Sequence, residues 1–409
     1  GFDSHAPPPP PVPPILTHSA DLMASLARGF RRPEDRRLGL EFEQFLTNPE
    51  GYPLPYAGSC GVEEIVKALG HRLGWTCFGE GDFVFGLQSP DGQQVTLEPG
   101  AQIELGTTPC RKISELEAQI RPFQAALEAV VGEHGGRVLA VGAQPMASPE
   151  DITRLPKSRY DILDPWLRDA DELGLWMMRC TCGMQVNFDH TDAADAARKL
   201  RTVFRLSPVI TALFANSSQA DGKETGFASW RGHVWSKTDA SRCGIVDSLA
   251  VEGSTLEDYV EWILDVPMLF VERDGQFEDC RGQSFRTRIE EGSATLKDWE
   301  LHLSTPFPEV RLRPQIELRC ADAGSLEMAL ALSALVKGIF YDAEALSAAE
   351  ALVAPWSLEE LHAAWHRSHR DGLGDIELAE RARALLALVS LNAEEDGYLA
   401  PLRGRLAIL

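Results

Sequence analysis

Apolar and polar positions alternate with a period of two in several short stretches of the chain, and with a period near 3.6 in several longer ones. Leu38–Phe45 reads as a strand with Leu40 and Phe42 on one side and Glu41 and Glu43 on the other. Val62–Leu73 has helical spacing. Phe83–Gln88 and Gln94–Glu98 flank Ser89-Pro90-Asp91-Gly92 and predict a hairpin, and Gln102–Leu105 continues the extended pattern. Ile113, Leu116, Ile120, Phe123, Leu127 and Val130 mark an amphipathic helix ending before Gly135-Gly136, with Arg137–Gly142 as the following strand. Met184–Asp189 alternates again, and Thr191 is placed to cap the next helix. Arg311–Arg319 contains a further alternating segment. Past Leu346, Ala, Leu, Glu and Arg dominate and predict helices. Strands and helices in irregular order point to an α+β chain with a largely antiparallel sheet.

Residues 1–14, with the run Pro7–Pro11, read as an extended, poorly ordered tail, and residues 15–409 as a single catalytic domain. Within it, residues 36–346 carry the motifs and 347–409 form a helical C-terminal part. At 409 residues the chain has ample material for a buried core, and no apolar stretch reaches the length of a membrane span. The net charge of −22 argues against nucleic acid or an anionic membrane as partner, although local arginines or metal ions can reverse the field inside a cleft. Eight cysteines without regular spacing suit reduced thiols and a cytoplasmic setting. Cys180 and Cys182 would share a face of an extended segment; with no second pair at zinc-site spacing, a structural role is favoured over a metal or redox one.

Four extended segments place carboxylates or amides on one face: Glu41 and Glu43, Glu98 with Gln102 and Glu104, Gln185 and Asn187, and Glu317 with Arg319. Each alone reads as the wet face of a sheet. In one sheet, however, their carboxylates would repel one another unless cations intervened, and oxygen-only ligands suit magnesium or manganese with phosphate completing the shell. No glycine-rich phosphate loop is present, so phosphate would fall to metals and basic side chains. Lys157, Arg159 and Tyr160 form one basic group, and Arg231, His233, Trp235 and Arg242 another. For any single arginine a surface salt bridge is the simpler reading.

In order along the chain, Gly39–Glu43, Leu97–Glu104, Pro156–Asp161, Gln185–Asn187, Ala212–Ser217, Arg231–Trp235, Asp265–Met268, Phe307–Leu312 and Ile316–Arg319 resemble the plant and proteobacterial type of glutamate–cysteine ligase. The resemblance runs from Arg36 to Leu346, roughly three quarters of the chain. It implies a glutamine-synthetase-like fold whose curved antiparallel sheet, flanked by helices, floors the active site. It implies ATP as co-substrate, magnesium (or manganese) as metal, and glutamate and cysteine as the substrates joined through a γ-glutamyl phosphate. By motif position Glu41, Glu43, Glu98, Glu104 and Glu317 would hold metal, with Gln185 as a further ligand. Arg159 and Arg231 would grip the α-carboxylate of glutamate. Asn187, Tyr160 and Trp235 would line the substrate site, and Lys157 and Arg319 would lie near the transferring phosphate.

The sequence departs from the family at Arg179-Cys180-Thr181-Cys182-Gly183 and at Arg313-Pro314-Gln315. Plant members imply two regulatory cysteine pairs, and neither is intact: Cys280 lacks a mate, and Glu117 and Leu330 stand at the positions of the second pair. A ligase using another amine acceptor, a phosphagen-kinase-like phosphotransferase and a non-catalytic glutamate- or nucleotide-binding homologue are the alternatives. Monomer and homodimer are both open.

Overall fold

The computed structural model describes residues 15, 16 and 19–408, so the expected tail over residues 1–14 lies outside the described residues. Nine strands form the main sheet: β1 (Leu38–Thr47), β2 (Thr76–Glu80), β3 (Phe83–Gln88), β4 (Gln94–Leu97), β5 (Ile103–Gly106), β6 (Arg137–Leu139), β7 (Gly183–Phe188), β8 (Val310–Arg313) and β9 (Gln315–Asp322). Their spatial order is β8-β9-β7-β1-β5-β4-β3-β2, with β6 also paired to the end of β1, and every pairing is antiparallel. The expected α+β architecture with an antiparallel sheet is the observed one.

Alternation decides which side of this sheet is dry. Leu40, Phe42, Met184, Val186, Phe188, Ile316 and Leu318 are buried in the main core, while Glu41, Glu43 and Asn187 on the opposite face are half-buried. Helices α1 (Val62–Leu73), α2 (Ile113–Glu133), α3 (Tyr160–Ala170), α4 (Ala193–Phe214), α5 (Trp230–Ser236) and α6 (Leu326–Phe340) surround the sheet. On the apolar side Phe188 packs on Phe340 of α6 with ring centroids 4.8 Å apart. The predicted stripe of α2 is buried throughout, from Ile113 to Val130, and Glu115 accepts from the free backbone N–H groups of Arg111 and Lys112 at its start. Gly74 ends α1 in the left-handed region at φ 68°, which a side chain would disfavour.

The alternating segment expected within Arg311–Arg319 is part of a hairpin, β8 and β9, turning at Pro314, whose missing N–H suits a turn rather than a ladder. Three local expectations needed correction. Asp192, not Thr191, caps α4: its carboxylate accepts from Asp195 N, while Thr191 N donates to Asp195. The strand after Gly136 stops at Leu139 instead of Gly142. Cys180 ends a helix, Gly174–Cys180, and lies among Ala147 and Ile152, whereas Cys182 lies with Phe45 and Ala323. The two thiols therefore occupy separate apolar clusters and share no face. All eight cysteines are free.

Candidate active site

Strand register turns the separate sequence motifs into one surface. Glu43 lies opposite Glu104 across β1 and β5, and Glu41 opposite Gln185 across β1 and β7. Asn187 lies opposite Glu317 across β7 and β9, and Glu317 opposite Arg311 across β9 and β8. Residues from the distant segments around positions 41, 104, 186 and 317 thus stand in adjacent rows on the polar face.

Protein groups hold most of these side chains in place. Glu41 accepts from Asn187 Nδ2 at 2.9 Å, and Glu104 from Thr96 Oγ1 at 2.9 Å. Glu43 accepts from Gly183 N at 2.5 Å and from Gln185 Nε2 at 2.9 Å. Glu317, buried, accepts from Arg311 Nε and Nη2 at 3.1 and 3.0 Å and also from Arg319 Nη1. Arg319 Nη1 reaches Gln185 Oε1 at 2.5 Å as well. Among the described residues, no three His, Cys, Asp or Glu side chains converge on one point as a closed metal centre would require.

The electrostatics divide the face in two. Burial pushes the Glu43 carboxyl up to about 7, and the charge of Glu98 adds to it. Burial also raises Glu41 and Glu104; Glu317 repels Glu41, and Glu41, Glu98 and Glu43 together repel Glu104. Glu317 behaves oppositely: burial works against its charge, but Arg311 and Arg319 overcome it and hold the group at about 2. One side is therefore short of positive charge, and the other is balanced by two guanidiniums.

The basic residues flank this face at separate places. Lys157 donates from Nζ to Leu97 O at 2.6 Å and lies over the rings of Phe85 and Tyr160, and burial lowers it to about 8. Arg159 donates to Tyr160 OH at 3.3 Å, in the field of Glu98. At the β9 side, Arg231 is buried, donates from Nη2 to Arg319 O at 2.9 Å and lies over the Trp235 ring, which Arg319 also approaches. Gly183 makes this approach feasible, since a Cβ there would stand 2.5 Å from Arg231 Nη2. Arg242 is elsewhere, buried against Asp239 and Trp166, and His233 stacks on Phe227.

The likeness to known proteins agrees with this geometry. The profile of "Glutamate-cysteine ligase family 2 (GCS2)" matches residues 37–403. The chain belongs to glutamate–cysteine ligase family 2. It is 36% identical over 394 residues to the chloroplastic glutamate–cysteine ligase of Brassica juncea, covering 92% of this chain and 75% of that one. Against the chloroplastic enzyme of Medicago truncatula it is 38% identical over 348 residues, covering 83% and 68%. The crystal structure of a glutamate–cysteine ligase from Francisella tularensis in complex with AMP shares the fold, with TM-score 0.52 at 13% identity over 93% of this chain and 83% of that one.

The expected cytoplasmic setting is corrected by the relatives at 36–38% identity, which are chloroplastic enzymes. Dispersed free cysteines suit any reducing compartment and do not single out the cytoplasm. Among the described residues no helix is long and apolar enough to cross a membrane.

Sequence reasoning assigned no role to Arg311, the main partner of Glu317, although Arg311 stood within a quoted family motif. Its signal was the pairing of an arginine and a glutamate across a tight Arg-Pro-Gln turn. It also gave no role to Asp322, which lies just past the last alternating position.

Proposed function

We propose that the polar face formed by β1, β5, β7 and β9 is the place where this ligase joins the γ-carboxylate of glutamate to the amino group of cysteine at the expense of ATP. The observation that carries this assignment is that Glu41, Glu43 and Glu104 share one sheet face, with Glu98 just past β4 acting on both Glu43 and Glu104, in a region short of positive charge and bordered by arginines. A cluster of oxygen donors of this kind suits the magnesium of a metal–nucleotide complex.

The donor chemistry fits magnesium: the four carboxylates offer only oxygen, and burial raises Glu41, Glu43 and Glu104 where no counter-charge of the protein balances them, as a cation would. Glu41, Glu43, Glu98 and Glu104 would hold the ions, with Gln185 beside them. Glu317 would join them only by releasing Arg311 or Arg319, so its main part is to hold those guanidiniums at the edge of the site. Magnesium held there would supply charge neutralisation for the polyphosphate of ATP.

Arg159 and Arg231 grip the glutamate α-carboxylate, since a guanidinium offers it two parallel hydrogen bonds. Tyr160, Asn187 and Trp235 border the same substrate. Lys157 and Arg319 face the transferring phosphoryl group, where charge spreads over its oxygens in the transition state. The product of that step, γ-glutamyl phosphate, is attacked by the cysteine amine, which expels phosphate and gives up a proton. Residues 15–409 act as one catalytic unit in this reading; the main apolar cluster runs from Leu16 to Leu406.

The test is product identification by mass spectrometry with glutamate, ATP, magnesium and a panel of amino acids. γ-Glutamylcysteine formed in strong preference to other dipeptides, with one ADP and one phosphate per bond, supports the proposal. ADP release without a dipeptide, or equal use of other amines, contradicts it.

A further inference from the structure

Arg231 owes its place to a buried carboxylate that is not part of the polar face. Asp322 ends β9 and is 1% exposed. It accepts three hydrogen bonds, from Asn216 N at 2.8 Å, from Ser217 Oγ at 2.6 Å and from Ser229 Oγ at 2.8 Å. Both hydroxyls then serve the first turn of α5. Ser217 Oγ accepts from Arg231 N at 3.1 Å, and Ser229 Oγ accepts from Gly232 N at 3.0 Å.

The direction of the hydroxyl protons is the important point. An ionised carboxylate only accepts, so each serine gives its proton to Asp322 and must present lone pairs to the backbone N–H groups. One buried charge thereby orients two hydroxyls and pins the backbone of Arg231. The slot around it is closed: a Cβ at Gly142 would stand 2.5 Å from Asp322 Cγ. At its far end the Arg231 side chain is held by Arg319 O and by the space over Gly183.

We infer that Asp322 is a positioning residue for glutamate binding, acting through Ser217 and Ser229 on Arg231. The inference rests on the reading above that Arg231 grips glutamate. In Asp322→Asn the shape is kept, but the amide nitrogen donates where an acceptor stood. One hydroxyl proton must then turn toward Arg231 N or Gly232 N, setting donor against donor.

The experiment is a kinetic double-mutant cycle on the full chain with Asp322→Asn, Arg231→Lys and the pair, measuring KM for glutamate and for ATP and kcat. Asp322→Asn is expected to raise KM for glutamate about tenfold, the equivalent of one net hydrogen bond, with KM for ATP nearly unchanged. Adding it to Arg231→Lys should give little further loss, because both act through the same guanidinium. Ser217→Ala should move the same constant in the same direction by a smaller factor, and decides the matter if the aspartate variant does not fold.

Independent, multiplicative effects of Asp322→Asn and Arg231→Lys, or equal losses for glutamate and ATP only in Asp322→Asn, overturn the inference. Should Arg231→Lys weaken ATP instead of glutamate, the substrate assignment fails. The positioning role then stands only if Asp322→Asn reproduces that same signature without adding to it.

Discussion

Replacing Arg311 by methionine tests whether the balanced half of the site is built as described. Arg311 and Glu317 are both almost wholly buried, with side-chain exposures of 8% and 4%. The guanidinium also donates from Nη1 to Ser304 O at 2.9 Å and to Pro306 O at 3.0 Å, so it fastens the 304–306 segment to the sheet. Methionine fills a similar volume without the charge. Removing one partner of a buried pair costs ~3–5 kcal/mol, and because Arg319 stays on Glu317 the low end, about 3 kcal/mol, applies. Two freed carbonyls add about 1 kcal/mol each, for a loss of roughly 5 kcal/mol. With a melting entropy of ~2.1 cal/mol/K per residue, the fall in Tm should be about 6 °C.

Acid should expose the same pair. Because Arg311 and Arg319 overcome burial and hold Glu317 at about 2, below an unfolded carboxylate, its stabilisation is complete above the ordinary carboxylate range. It drains away as pH falls through that range toward about 2. Arg311→Met should therefore lose Tm at neutral pH and show a shallower decline below about pH 4.5. Differential scanning calorimetry between about pH 6 and pH 3 reads both effects. A Tm within about 2 °C of the parent, with an unchanged acid slope, would refute the reasoning.

Glu41→Gln or Glu98→Gln should keep the fold and lower kcat by about two orders of magnitude, checked by turnover at saturating magnesium and ATP alongside circular dichroism. Arg159→Lys and Arg231→Lys should each raise KM for glutamate about tenfold while KM for ATP hardly moves, read from steady-state titrations. Burial raises Glu43 to about 7, above its unfolded value, so in chelator its contribution is lost as pH climbs from the carboxylate range through about 7; magnesium should restore Tm most at the upper end, measured by thermal scans with and without the ion. Mild oxidation followed by dithiothreitol should leave activity and non-reducing gel mobility unchanged, since the eight thiols are unpaired and Cys180 and Cys182 lie in different apolar clusters.

Much of this site was written into single segments. Alternation in Leu40–Glu43 and in Met184–Asn187 told which side chains face a core and which face water, because a strand's period of two is a local property of its backbone. The stripe from Ile113 to Val130 announced a helix for the same kind of reason. Hairpin β8–β9 was less legible, since a proline between two alternating runs can mark a turn or an edge.

What tertiary structure alone decided is who stands beside whom. That Glu43 meets Glu104, and Glu41 meets Gln185, follows from pairing strands some 60 and 140 positions apart, which no local pattern encodes. Glu41 and Glu317 look alike in sequence, each a glutamate on an alternating strand. Structure gives one an amide and acidic neighbours and the other two arginines, so burial leaves the first short of a counter-charge and the second fully paired. Asp322 and Ser217 lie about a hundred positions apart and carry no shared motif, and only the folded chain brings the carboxylate to the hydroxyl that holds Arg231. Residue type and local period are properties of a segment, while electrostatic environment is set by contacts closed over long loops, and those exist only once the sheet has formed.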